Sequence, residues 1–99
     1  MGFVVFIEED ARKDIQEAIR WYNKKKKGLG KEFHRHFLLF VSALSQNPMY
    51  QVRYDEVHCL PLKKFPYMIH FVVSKKNVIN YGVFHTSLNP DKFLTRKVK

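Results

Sequence analysis

The chain has one cysteine, four glycines and four prolines in 99 residues, and only nine acidic side chains against 18 lysines and arginines. Each scarcity closes something off. The lone Cys59 cannot form an internal disulfide, and its apolar neighbours read as the setting of a small buried hydrophobe. There is no Gly-rich phosphate loop, no Cys and His metal spacing and no nucleophile elbow, which removes most ordinary enzyme classes and gives no reason to expect a cofactor or a metal. Lys, Arg or His breaks every apolar run well short of the roughly 20 residues that span a bilayer, so no membrane segment is expected. The opening Met1-Gly2-Phe3-Val4-Val5-Phe6-Ile7 lacks a basic n-region and runs at once into Glu8-Glu9-Asp10. It does not read as a signal peptide, and a cytoplasmic protein is the expectation. Internal repeats, low-complexity stretches and linkers are missing as well, so residues 1–99 read as one domain.

What the chain does have is material for a core and an excess of positive charge. Nine Phe, five Tyr and one Trp within a 45% apolar composition supply the core. The formal charge is +9, with nine basic and six acidic residues in 1–47 but nine basic and three acidic in 48–99. That balance fits either an acidic partner, nucleic acid or protein, or simple solubility.

The hydrophobic period divides the chain into elements. Phe3 to Ile7 reads as a strand, after which Asp10 is placed to cap a helix carrying Ala11, Ile15, Ala18, Ile19 and Tyr22 on one face. Lys24 to Lys27 suit the negative end of that helix, the other reading of the run being a nucleic-acid patch, and Gly28 suits its termination. Leu29-Gly30 then reads as a tight turn. A second helix follows through Phe33, Phe37, Phe40, Val41 and Leu44 until Asn47-Pro48 stops it, and the short connection makes the two helices antiparallel. His34 and His36, two apart on this helix, face different directions and do not make a metal site.

From Pro48 the period becomes two, with strands expected at Val52 to Asp55, Val57 to Leu62, Tyr67 to Ser74 and Val78 to His85, and a turn at Lys75-Lys76-Asn77. Tyr67, Ile69, Phe71 and Val73, with Ile79, Tyr81 and Val83, form the face expected to pack on the helices. Pro90-Asp91 suits the start of a short basic C-terminal helix or tail. The expected fold is therefore α+β: an N-terminal strand, then an antiparallel helical hairpin packed on a small antiparallel sheet.

Tyr67, Tyr81, His70, His85, Arg53, Lys63 and Lys64 fall near the rims of that sheet. They are the residue types a metal-free RNA-cleaving site needs: a base for the 2′-hydroxyl, cations for the phosphate and an acid for the leaving oxygen. His85, supported by Tyr67, Lys63 and Lys64, is the leading candidate, with Phe65 and Tyr67 also read as packing residues and His85 as a cap on the core edge.

One set of motifs carries a resemblance. Ala18-Ile19-Arg20-Trp21-Tyr22 on the first helix, Gly28-Leu29-Gly30-Lys31-Glu32-Phe33 at the hairpin, Asn47-Pro48, Lys64-Phe65-Pro66-Tyr67 and Val83-Phe84-His85 occur in this order and spacing. Over roughly residues 3–95 the chain resembles the RelE/ParE superfamily, the toxin halves of bacterial type II toxin–antitoxin modules, also called plasmid stabilisation proteins. The resemblance implies a toxin causing growth arrest, neutralised by an acidic antitoxin in a hetero-oligomer. Its target would be DNA gyrase in the ParE-like branch, or mRNA on the ribosome in the RelE-type branch of mRNA interferases. The ribonuclease branch tends to have Gly-Tyr-Arg where this chain has Pro66-Tyr67-Met68, and paired lysines where it has Cys59 and Pro61. Relatives with Phe-Pro-Tyr commonly carry arginine where this chain has His58 and Leu88. These departures remove phosphate-steadying cations, which favours the ParE-like branch. A third reading is a non-toxic basic nucleic-acid-binding module.

Overall fold

The computed structural model describes residues 2–49, 52–54 and 56–86. The expected C-terminal helix or tail from Pro90, the departure at Leu88 and the strand end at Asp55 lie outside them. Helix α1 spans Glu9–Lys25 and buries Ala11, Ile15, Ala18 and Tyr22, one stripe at helical spacing. It begins two residues earlier than Asp10 would make it as a cap. Glu8 is the N-cap, without a side-chain cap, and Asp10 sits with Glu9 in the first turn, where carboxylates suit the helix dipole.

The hairpin also differs in detail from the expectation. The chain turns at Lys26, Lys27 and Gly28, with Gly28 at φ 86°, and helix α2 runs over Leu29–Gln46. Leu29-Gly30 is thus the first turn of α2, not a loop. The reason is a close approach between the helices: a Cβ on Gly30 would stand 2.4 Å from the Ile19 carbonyl oxygen. The Gly30 N–H donates to Asn23 Oδ1 at 2.9 Å and so fastens the two helices together. Phe33, Phe37 and Leu44 of α2 are buried, and Asn47 ends the helix.

Among the described residues five strands make the sheet: β1 (Val4–Ile7), β2 (Val52–Tyr54), β3 (Val57–Pro61), β4 (Tyr67–Ser74) and β5 (Asn77–His85), in the order β1-β5-β4-β3-β2. Strands β2 to β5 form the expected antiparallel meander, and β1 adds in parallel beside β5, which makes the whole sheet mixed. The helices cover one face. Phe33, Phe37, Ile69, Phe71, Val78 and Val83 lie in that core, each at most 2% exposed. Burial of this completeness contributes about 1.5–3 kcal/mol per large side chain.

An irregularity in β5 decides which side chains share a face. His70 stands opposite Gly82 and Phe71 opposite Asn80, so Tyr81 is an extra residue, a β-bulge. The bulge reverses the alternation along β5. Val78 and Val83 face the helices, whereas Tyr81 joins Val57 and Cys59, with Met68 and Val72, in a second cluster on the other face. The expectation that Ile79, Tyr81 and Val83 lie together is therefore corrected, since it assumed an unbroken period of two. Asn80, fully buried, accepts the Gly82 N–H with its Oδ1 at 3.2 Å and so satisfies a donor that the bulge displaces from the ladder.

Candidate functional site

The sheet end that carries Tyr67 and His85 is built around a tight bend. The Tyr67 N–H donates to the Phe65 carbonyl at 2.7 Å across Pro66, a three-residue turn whose central φ proline already holds. Leu62 N–H reaches the Tyr67 carbonyl at 2.8 Å, and Thr86 N–H reaches the Pro66 carbonyl at 2.8 Å, tying the bend to the end of β5. Phe65 is buried and meets Tyr22 and Phe33 edge-on, with ring centroids 5.0 and 5.2 Å apart. Tyr67 meets Phe33 at 5.3 Å in the same manner. Both residues of the motif are thus part of the aromatic packing between hairpin and sheet.

Tyr67 and His85 are direct cross-strand partners, their rings edge to face at 5.2 Å. The surroundings of this pair are acidic. Asp14 of α1 reaches over with Oδ2 to accept the Val83 N–H at 3.0 Å, two residues before His85. Burial, then the carboxylates of Asp14 and Glu17, push the Tyr67 phenol above the usual tyrosine range. Burial followed by the nearby Tyr67 does the same to Tyr22. A phenol so placed holds its proton to higher pH than an exposed tyrosine does.

Lys63 and Lys64 are exposed in the bend. Lys64 is associated with α2: its N–H lies 3.5 Å from His36 Nε2, and it lines a depression of about 80 Å³ with Glu32, Arg35, His36, Leu39 and Phe65. The four candidate residues therefore share one end of the sheet, Tyr67 and His85 as a contacting pair under Asp14, Lys64 against the second helix. The other rim candidates are elsewhere. Arg53 is on β2, which β3 and β4 separate from β5. His70 and Tyr81 are 1% exposed on the helix-free face, where the Cys59 thiol stands 3.6 Å from His70 Nδ1. Met68 faces the same way, opposite Phe84, and His58 stacks on Phe71 at 5.4 Å.

Asp14 is the residue that sequence reasoning missed. Its signal was available, since it precedes Ile15 and stands three residues after Ala11 and four before Ala18, all buried. An acid on the flank of a buried stripe is positioned to reach backbone donors of the element beneath. Among the described residues, no three His, Cys, Asp or Glu gather as metal ligands, and no helix is long and apolar enough to cross a membrane.

The sequence matches no protein-family model and no curated protein. The structure is similar to a chain of the chromosomal ParDE TA (toxin–antitoxin) system from P. aeruginosa, with a TM-score of 0.77 at 15% identity over 84% of this chain and 95% of that one. The α+β fold that the RelE/ParE resemblance implied is the fold the chain adopts.

Proposed function

We propose that this chain is the toxin of a type II toxin–antitoxin module, held inactive by an acidic antitoxin, and that it acts as ParE-type toxins do, by binding and inhibiting DNA gyrase. The likeness of fold to a chain of a ParDE system carries the reading. The chemistry beside Tyr67 and His85 supports the choice of target. A ribonuclease gathers cations where negative charge builds on phosphate, whereas here Asp14 and Glu17 raise the Tyr67 proton affinity. The +9 charge suits an acidic antitoxin, whose disordered segment would order on binding.

The test is induced expression in bacteria, followed by growth, DNA damage and transcript integrity, with a supercoiling assay on purified gyrase. Arrest with DNA damage and intact transcripts, retained by His85→Ala, is the expected outcome. Transcripts cut within translated codons, with cutting abolished by His85→Ala, would reverse the assignment and make His85, Tyr67, Lys63 and Lys64 the catalytic set of a ribosome-dependent nuclease.

A further inference from the structure

The charge of this molecule is sorted by position. Lys24, Lys25, Lys26 and Lys27 close α1 and form the hairpin turn, Lys31 and Arg35 follow on the first turns of α2, and all six are exposed. Tyr22 of the last turn of α1 packs edge-on against Phe65 at 5.0 Å, and His36 of α2 against the same ring at 5.7 Å, so the bend with exposed Lys63 and Lys64 lies against this end of the hairpin. Arg35 and Lys64 line one depression. Among the described residues these eight cations share one end of the molecule with Glu32, and the carboxylates of Asp14 and Glu17 lie farther back along α1, toward Tyr67. Glu8, Glu9 and Asp10 are at the far end of α1, about 25 Å away at the rise of a helix.

The simplest structural account of a lysine run at a helix end is compensation of the negative dipole. It applies weakly here. Only Lys24 and Lys25 are in the last turn, and the positive end of α2 begins four residues after Lys25, at Leu29, cancelling much of the field. Among the described residues none of the eight is held in an ion pair; the pair found is Lys13 with Glu9. Eight unpaired like charges repel one another and lower stability unless a polyanion takes them up.

We propose that this basic end binds the phosphate backbone of duplex DNA, a function separate from toxicity and not dependent on it. The form of the surface favours a duplex over a single strand. Single-strand binders offer open aromatic faces for bases to stack on, and Trp21, exposed beside the run, has its own Lys25 ammonium 4.8 Å over the ring. A helical end carrying flexible point charges instead suits the outside of a duplex, where lysines meet phosphates without reading sequence.

The experiment is fluorescence anisotropy of the full chain with a labelled mixed-sequence duplex of about 20 base pairs, between about 50 and 200 mM salt. If about four of the eight cations reach phosphates together, the slope of log affinity against log salt is about −3.6, an affinity loss of about 150-fold over that range. Replacing Lys24 to Lys27 by glutamine is expected to weaken the slope to between about −1 and −2. Lys75→Gln with Lys76→Gln, at the other end of β4, is expected to leave it near its starting value. Circular dichroism checks that each variant is folded. An unchanged slope in the folded quadruple variant overturns the proposal, as does an equal fall in the Lys75 and Lys76 variant, which would reduce the effect to net charge. Tighter binding of a single strand, or of a polyglutamate peptide of matched charge, likewise overturns the assignment to duplex DNA.

Discussion

Gly30→Ala tests how closely the two helices approach. In an isolated helix the change would stabilise, by about 0.8–1.0 kcal/mol of helix propensity. Here the added Cβ would stand 2.4 Å from the Ile19 carbonyl oxygen and 2.7 Å from Asn23 Cγ and Nδ2. The Asn23 side chain can rotate away, at the loss of its hydrogen bond from Gly30 N–H, about 1 kcal/mol. The Ile19 oxygen belongs to the helix backbone and can retreat only if α1 and α2 move apart, an overpacking term at the upper end of about 1–3 kcal/mol. The sum is a net loss of about 2–3 kcal/mol, or about 10–20 °C in melting temperature for a domain of this size. Thermal and urea melts followed by circular dichroism measure it. Gly28→Ala serves as contrast, because nothing lies within 4 Å of its Cβ and only its φ of +86° resists, at about 1–2 kcal/mol. Adding Asn23→Ala to Gly30→Ala removes the side-chain clash and leaves the backbone one, so the double variant stays well below the wild type. A Gly30→Ala protein as stable as the parent would refute the reasoning.

Two further outcomes follow from the site and the sheet. Tyr67 and Tyr22 have folded-state pKa values raised above those of the unfolded chain, so their contribution to stability is complete below the ordinary tyrosine range and is lost as pH rises through the raised values. Asp14→Asn removes one raising charge while keeping an acceptor for Val83 N–H; tyrosinate absorbance should then show Tyr67 titrating lower, still above the ordinary range because burial remains, and an unmoved midpoint would contradict the assigned cause. In the β4–β5 turn, Lys75 holds φ 56°, so Lys75→Gly should gain about 0.5–1 kcal/mol, read as a melting temperature higher by a few degrees, and a loss of stability would count against that strain.

The elements were legible wherever one face is buried and its period is uninterrupted. The stripe Ala11, Ile15, Ala18, Tyr22 specifies α1, and Phe33, Phe37 and Leu44 specify α2. Three features were not legible, each for a physical reason. The parallel placement of β1 beside β5 joins residues more than 70 positions apart, and no local pattern encodes such a pairing. Gly30 looks like a turn residue because turns and close helix contacts need the same missing side chain, and only the position of Ile19 distinguishes them. The bulge at Tyr81 shifts the alternation by one residue, and in a strand apolar on both faces the sequence carries no sign of the shift.

That bulge bears on how the candidate site should be read. Met68, His58 and Leu88 stand where the resemblance leads one to expect arginine. Met68 pairs with Phe84 on the helix-free face, while Tyr67 pairs with His85 on the face toward the helices. Adjacent residues of a strand point apart, so the side chain at 68 has little direct influence on the Tyr67 and His85 pair. His58 stacks on Phe71 two strands from β5 and is equally remote from it. The carboxylates beside the pair come from the flank of α1, from which Asp14 reaches the Val83 N–H just beyond the bulge. Without the extra residue, an unbroken alternation would carry Tyr81, Val83 and His85 to the side of Ile79, which packs away from α1. The bulge is therefore the feature that turns His85 toward the helices and sets it, with Tyr67, beside a carboxylate.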